Sequence, residues 1–348
     1  MEETVSAPLD PRVIEQEIGR MRERESSPYS AGIKTNLFTL LIFRGEGHDA
    51  SSPSDPTEAA IQYLLGRRPA RIITLTRTHA PRTEAWVSGR CFPDRRNRGV
   101  CFEEVRIEAG EDGVGEDPGA WAPLLIRDLP VFAWLADGLS PDEDGRLSAL
   151  VSATGLVDKL LVDSSRSIGS EDGAAAMAML RALREKAASS LLISDFSWRR
   201  TRILREQSAR AFNPPEVRDE LAAIKGVRLY GGSAAEASLF FTWLRVRLAR
   251  SGILRGSTSA PNPYAPTVID EIAAEHAFAG PLTEGFRLTY RIDGKPDIDI
   301  GCTRGGCLSR GEEKGAYRFP ADGEILLDEV DSLSRDPVFL EVLAHAGG

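Results

Sequence analysis

The chain has 348 residues, of which 42% are hydrophobic and 27% charged, and a formal net charge of -9. That length supports two domains of roughly 100 to 200 residues each, and the composition is ordinary for an α/β protein. The acidic balance argues against general binding to nucleic acid or to an anionic membrane, which needs a clustered excess of Lys and Arg, and no apolar run approaches the ~20 residues that cross a bilayer.

The opening residues MEETVSAPLD have neither the basic nor the apolar region of a signal peptide, so a cytoplasmic location is expected. From Pro11 to Glu25 the spacing places Val13, Ile14, Ile18 and Met21 on one side of an amphipathic helix. The run NLFTLLIF from Asn36 is a strand, GEGHDASSPSDP a loop, Thr57 to Leu65 a helix, and RIITLT from Arg71 a second strand. Strand, helix and strand in that order make a βαβ unit with a parallel pair and a right-handed crossover.

Ala85 to Phe92 and Val100 to Ala109 pair as a hairpin centred near Arg96, which sets Cys91 opposite Cys101. Cys302 and Cys307 bracket TRGG in the same manner. Four cysteines are too few for a disulfide scaffold in a chain of this length. Cys91 and Cys101 are open to two readings, a redox pair or plain thiols. Neither pair has zinc-ligand spacing, and no metal is expected.

Further along, Trp121 to Ile126 is ordered and Val131 to Leu135 is a buried strand. Leu160 to Asp163 is a short strand running into Ser164, Ser165 and Arg166, where strand ends in an open α/β sheet line ligand crevices. A loop that merely caps the next helix reads the same way. A helix from Gly173 to Ala187 precedes a domain boundary near Ala188, giving an N-terminal α/β domain over 1–188 and a C-terminal α+β domain over 189–348. The fold class is therefore α/β, with a mostly parallel sheet and a hairpin in the first domain and a mixed second domain.

Leu191 to Pro215, LLISDFSWRRTRILREQSARAFNPP, packs a strand, a helix start and five arginines into one run. Ser194, Asp195 and Ser197 are each able to cap the helix, and Pro214 and Pro215 close it. Arg199, Arg202, Glu206 and Arg210 share one face, opposite Leu204, Ser208 and Ala211, while Arg200 and Arg205 lie off that row. A solvated helix face and an anion or partner surface both fit this pattern.

Beyond Pro215 the sequence predicts a helix to Ile224, a strand over Val227 to Tyr230 and a long helix from Ala234 to Arg250. Between the last two, Gly231, Gly232 and Ser233 form either a tight turn or an anion site at a helix N-terminus. This turn lacks the glycine patterns of dinucleotide and P-loop sites. Gly252 to Thr267 is an irregular loop, and FRLTYRI, DIDIGC, GAYRFP and EILLDEV read as strands of a meander before a terminal helix over Asp331 to Ala344. His48, His79, His276 and His345 sit in no catalytic motif, and the acidic run Asp142 to Asp144 reads as solvated surface.

The ordered set NLFTLLIF, RRPARIITLTR, DLPVFAWLADG, LLVDSS, ISDFSWRRTRILREQSARAFNPP, LYGGSAAEASLFFTWLRVRL and EILLDEVDSLSRDPVFLEVL resembles the OpcA family of glucose-6-phosphate dehydrogenase assembly proteins. In that family DLPV is usually followed by two tryptophans and Pro-Gly; here Trp134 is kept, and Leu135, Ala136 and Asp137 replace the rest. The resemblance implies a non-catalytic cytoplasmic protein without a cofactor, which binds glucose-6-phosphate dehydrogenase, promotes its active oligomer and supports NADPH supply by the oxidative pentose phosphate pathway. Trp198, Arg199, Arg200, Arg202 and Arg205 are then the expected contact residues, since Trp and Arg are favoured interface anchors. Thioredoxin control in some relatives would give Cys91 and Cys101 a purpose. The alternative is a sugar-phosphate-binding enzyme or sensor that uses the Asp163 to Arg166 loop and the Gly231 to Ser233 turn.

Overall fold

Strands that are apolar on both faces must be covered on both, and four such runs lie side by side at the centre of an eight-stranded sheet in the computed structural model of the chain. The structure describes residues 3–7, 9–24, 36–45, 55–65, 67–93, 99–138, 155–167, 169, 171–187, 189–250, 273–309, 312–313 and 318–345. In chain order the first elements are β1 (Glu3–Ala7), α1 (Pro11–Arg24), β2 (Thr39–Arg44), α2 (Pro56–Leu65), β3 (Arg71–Arg77), β4 (Glu84–Pro93), β5 (Gly99–Ala109) and α3 (Pro118–Trp121). Then come β6 (Val131–Leu135), β7 (Lys159–Val162), α4 (Gly173–Lys186), β8 (Leu192–Asp195), α5 (Phe196–Arg200), α6 (Arg202–Ala211), β9 (Ile224–Tyr230) and α7 (Ala234–Arg250). The last are β10 (Ala273–Ala277), β11 (Gly285–Ile292), β12 (Ile298–Thr303), β13 (Gly306–Ser309), β14 (Glu312–Glu313), α8 (Asp322–Val330) and α9 (Pro337–His345).

Contacts within the chain define two units. One comprises Met1–Asp163, Lys186–Ser194 and Ala321–Ser334; the other comprises Ser164–Glu185, Asp195–Pro320 and Arg335–Gly348. The sequence alone predicts a single linear boundary near Ala188, whereas these units each draw on three stretches of chain.

In the first unit the sheet order is β1-β4-β5-β3-β2-β6-β7-β8. β5, β3, β2, β6 and β7 run parallel, and β1 and β4 add an antiparallel edge. The βαβ unit and the hairpin are present as expected. Register sets Cys91 opposite Cys101, although their side chains lie outside the described residues. Ile14, Ile18 and Met21 of α1 are buried, as the amphipathic spacing requires.

EILLDEV is a helix and not a strand. Gly323, Ile325, Leu326, Glu329 and Val330 are its buried residues, a three- and four-residue spacing that one face of a helix produces. Its packing partner is α2: a Cβ on Gly323 would come within 2.5 Å of Tyr63 Cβ, and Arg68 forks onto Asp331 with bonds of 2.8 and 2.7 Å. Lys159 of β7, which is 3% exposed, donates to the carbonyls of Glu329 and Ser332 at 3.0 and 2.8 Å and pairs with the Glu329 carboxylate.

The second unit has a six-stranded sheet of order β10-β9-β11-β12-β13-β14, antiparallel except for the β9–β10 pair. Val227, Leu229, Leu288, Ile298 and Ile300 form its inner face, packed with Phe240 of α7. Alternate residues Arg228, Arg287 and Asp299 point the other way. Cys302 and Cys307 are register partners on β12 and β13 and form a disulfide. In GAYRFP, residues 315–317 lie outside the described residues and 318–320 form no regular element. The terminal helix begins at Pro337, six residues later than its spacing predicted, because Asp336 is its cap. Pro215–Ala223 winds as 3-10 turns instead of an α-helix. The Gly252 to Thr267 loop and Asp142 to Asp144 lie outside the described residues. No helix among the described residues is long and apolar enough to cross a membrane.

Candidate functional site

The candidate residues of the second unit gather around the junction of β8 with α5. Of the three residues able to cap α5, Asp195 does so. Its carboxylate accepts the amides of Ser197 and Trp198 at 3.4 and 3.2 Å. The same two oxygens accept the amide and hydroxyl of Ser164, both at 2.9 Å. Asp195 and Ser164 are fully buried. The Ser165 amide donates to Ser197 Oγ at 3.0 Å. The strand-end loop is thus fastened to the start of α5 by its own polar groups, with Ser164 at the centre of the fastening.

Trp198 is 1% exposed. Its indole Nε1 donates to Asp336 Oδ2 at 2.7 Å, and its ring stacks on Phe339 at 5.4 Å. On Trp198 lies the Arg205 guanidinium, 3.5 Å from the ring centroid, whose Nη2 also donates to the Trp198 carbonyl at 3.2 Å. Loss of hydration, aggravated by Arg199 and Arg202 and only partly offset by Asp336, lowers the Arg205 pKa to about 10. It still carries its charge at neutral pH.

Arg200, 9% exposed, points inward. Its Nη1 lies 3.3 Å from Ser165 Oγ, to which it donates, and 3.7 Å from Glu236 Oε1. Glu236 in turn accepts the Ser233 amide at 2.8 Å, while the Glu236 amide donates to Ser233 Oγ at 3.1 Å. This reciprocal pair is a capping box at the start of α7. The two anion sites considered from the sequence are therefore brought together, with Arg200 and Glu236 as the link.

The Gly231 to Ser233 turn uses all three of its amides internally. Gly231 and Gly232 donate to the carbonyls of Ala277 and Gly280 at 3.0 and 2.8 Å, and Ser233 to Glu236. Both glycines are left-handed, with φ of 99° and 80°, and a Cβ would come within 2.8 Å of Gly285 O or 2.9 Å of Leu282 Cγ. The geometry is that of a tight strand-to-helix turn whose donors are already engaged. Arg166 closes the 3-10 turn after Ser165 and is partly exposed.

One continuous arginine surface is not what the fold presents. Trp198 and Arg200 are buried and Arg205 lies on the indole; Arg199 is half-buried and Arg202 is exposed. Arg202 pairs with Glu206 one turn on, at 2.6 Å. The helical phasing that put Arg200 and Arg205 off the outer row was the signal for this division. Asp336, Phe339 and Glu236, which hold the inner members, were missed because they stand far away in sequence. Among the described residues no cluster of His, Cys, Asp and Glu is arranged to hold a metal ion.

Residues 62–182 match a family model described as the N-terminal domain of a glucose-6-phosphate dehydrogenase subunit, and residues 192–343 match one described as its C-terminal domain. A protein of Synechocystis sp. named as the OxPP cycle protein OpcA is 28% identical over 204 residues, covering 57% of this chain and 41% of that protein. Its namesake in Nostoc punctiforme is 28% identical over 208 residues, covering 58% and 42%. The matched part thus spans about two fifths of the length of these curated relatives. Among solved structures, glucose-6-phosphate 1-dehydrogenase from Mycobacterium avium superposes with a TM-score of 0.44 at 9% identity, covering 88% of this chain and 91% of that one, a likeness too loose to carry an argument.

Proposed function

The chain belongs to the OpcA family of glucose-6-phosphate dehydrogenase assembly proteins, and from that premise we propose that it binds glucose-6-phosphate dehydrogenase without being an enzyme itself. On this reading it promotes the active oligomer of the dehydrogenase in the cytoplasm and so supports NADPH formation in the oxidative pentose phosphate pathway. The observation that carries the reading is the pair of family matches, which follow one another along most of the chain. The inward wiring of Ser164, Ser165, Gly231, Gly232 and Ser233 also supports it over a sugar-phosphate site, because their donors already have acceptors within the protein.

Of the expected contact residues, we take Arg199 and Arg202 as those that meet the partner, a reading supported by their partial and full exposure, with Trp198, Arg200 and Arg205 holding the helix. The test is to titrate the purified protein into the cognate dehydrogenase, following NADPH formation and complex mass by light scattering. Activity and mass should both rise. No change in either across a broad concentration range would sink the proposal. Arg202→Glu should weaken the contact while leaving the fold intact, and full activation by that variant would remove the outer row from the interface.

A further inference from the structure

An antiparallel sheet covered on one side shows its other side to solvent, and a flat face of that kind is one on which a second sheet can pack. The outer face of the second unit's sheet is such a surface. Register lines up two rows across it: Ala277, Tyr230, Arg287, Gly301 and Leu308 in one, and Glu275, Arg228, Thr289 and Asp299 in the other. Tyr230 is 36% exposed and Leu308 54%, two of the large apolar side chains that the chain leaves in water. Tyrosine and arginine set together on a flat face are the residues favoured at interface anchors.

Both rows are self-complementary about β11. In the first, Arg287 of β11 has Tyr230 on one neighbouring strand and Gly301 on the other. A Cβ on Gly301 would meet nothing within 4 Å, so the face has a bulky side chain on one side of β11 and an open space on the other. In the second row Thr289 has Arg228 on the first side and Asp299 on the second, a cation and an anion in matching places. A two-fold axis lying along β11, just above the face, exchanges the two sides. It sets Tyr230 of a second copy over Gly301 and Arg228 of that copy over Asp299, and the reverse. The angle of about 30° between packed sheets moves positions one strand from the axis by only about 2 to 3 Å. The arginines on the axis are drawn aside within their own chain: Arg287 pairs with Asp299 at 3.3 Å, and Arg291 lies across Gly226 to pair with Glu275 at 3.2 Å.

Five strands about 4.8 Å apart and about six residues long make a face of about 24 by 20 Å, and two such faces withdraw roughly 1,000 Å² from water, the least that a specific interface needs. We propose that this face receives a second copy of the chain, as an isologous dimer in which Tyr230 fills the space over Gly301 and Arg228 meets Asp299. The symmetry selects a copy of this chain as the occupant, because only a copy carries the same two pairs in the reversed order.

The test measures the mass of the full-length chain by sedimentation equilibrium from about 1 to 200 µM. Wild type should pass from the mass of one chain to that of two. Arg228→Glu and Asp299→Arg should each dimerise at least about tenfold more weakly alone, since each sets like charges face to face, while an equimolar mixture of the two should dimerise as wild type does. Gly301→Lys has room in the single chain, keeps the fold by thermal melt, and should stay at the mass of one chain throughout. A wild type that remains single at 200 µM overturns the proposal, and so does a wild-type dimer that Gly301→Lys leaves intact or a mixture that restores nothing. If wild type stays single and Gly301→Lys instead abolishes binding of the dehydrogenase, the face belongs to the dehydrogenase and the dimer is refuted.

Discussion

A guanidinium laid on a buried indole and a guanidinium on a helix surface are different chemical objects, and Arg205 and Arg202 are one of each. Trp198 joins α5 to α9 through a hydrogen bond to a carboxylate and a stack on Phe339. Trp198→Phe keeps most of the apolar volume but removes the indole donor, so unfolding in urea should report a loss of about 1.5 to 3 kcal/mol. Arg202→Ala touches only an exposed ion pair and should stay within about 0.5 kcal/mol of wild type in the same assay. Equal losses in the two variants would contradict the division of the arginines into inner and outer members. At Asp55 burial pushes the carboxyl upward, but the Thr57 amide and Arg44 outweigh it and leave the pKa below its usual value. A carboxyl depressed in the folded state contributes fully above its unfolded pKa, and that contribution is lost as pH falls through the folded value. The melting temperature of wild type should therefore drop below about pH 4, and Asp55→Asn should be less stable at neutral pH with a shallower acid loss.

At the scale of the element, the turn between β9 and α7 and the turn after β11 both contain left-handed glycine, and they differ in what surrounds it. A Cβ on Gly232 would meet Leu282 Cγ at 2.9 Å, while Gly294, at φ 68°, has nothing within 4 Å. Gly294→Ala should cost only the backbone strain, about 1 kcal/mol, and Gly232→Ala the strain plus a displaced leucine, about 2 to 3 kcal/mol, both read from thermal melts. Much of this level of structure was legible in the sequence. The parallel strands announced themselves as unbroken apolar runs, and the β4–β5 hairpin by its paired strands, because those signals are local. EILLDEV was not legible as a helix, since seven residues, four of them apolar, are too few to separate a period of 2 from one of 3.6. What decides it is Tyr63, more than 250 residues earlier, whose ring lies against Gly323. The break of the arginine segment at Thr201 was equally hidden: the Trp198 carbonyl there accepts from the Thr201 hydroxyl at 2.8 Å and from Arg205. Likewise the Asp137 bond to Gly45 spans 92 residues and no motif records it.

Across the whole molecule, both units are discontinuous in sequence, and the consequence is clearest for the first. Its α2 face, Tyr63 and Arg68, and the buried Lys159 of β7 all find partners between Gly323 and Ser332. A fragment of residues 1–188 would leave that lysine without its counter-ion, and removing one partner of a buried pair typically costs about 3 to 5 kcal/mol. Such a fragment should show no cooperative melt, whereas a chain ending at Ala346 should melt like the intact protein. If 1–188 melted cooperatively, the role given to α8 would be wrong. The same connectivity governs how the protein is made. Chains generally fold from the N-terminus as they emerge from the ribosome, yet here the segment that covers α2 is synthesised only after all the strands of the second unit. Nascent chains stalled before Ala321 should remain open to protease in α2, and protection there should appear only after the α8 residues have cleared the exit tunnel, so that completion of the N-terminal unit waits on synthesis of the whole sheet of the second unit.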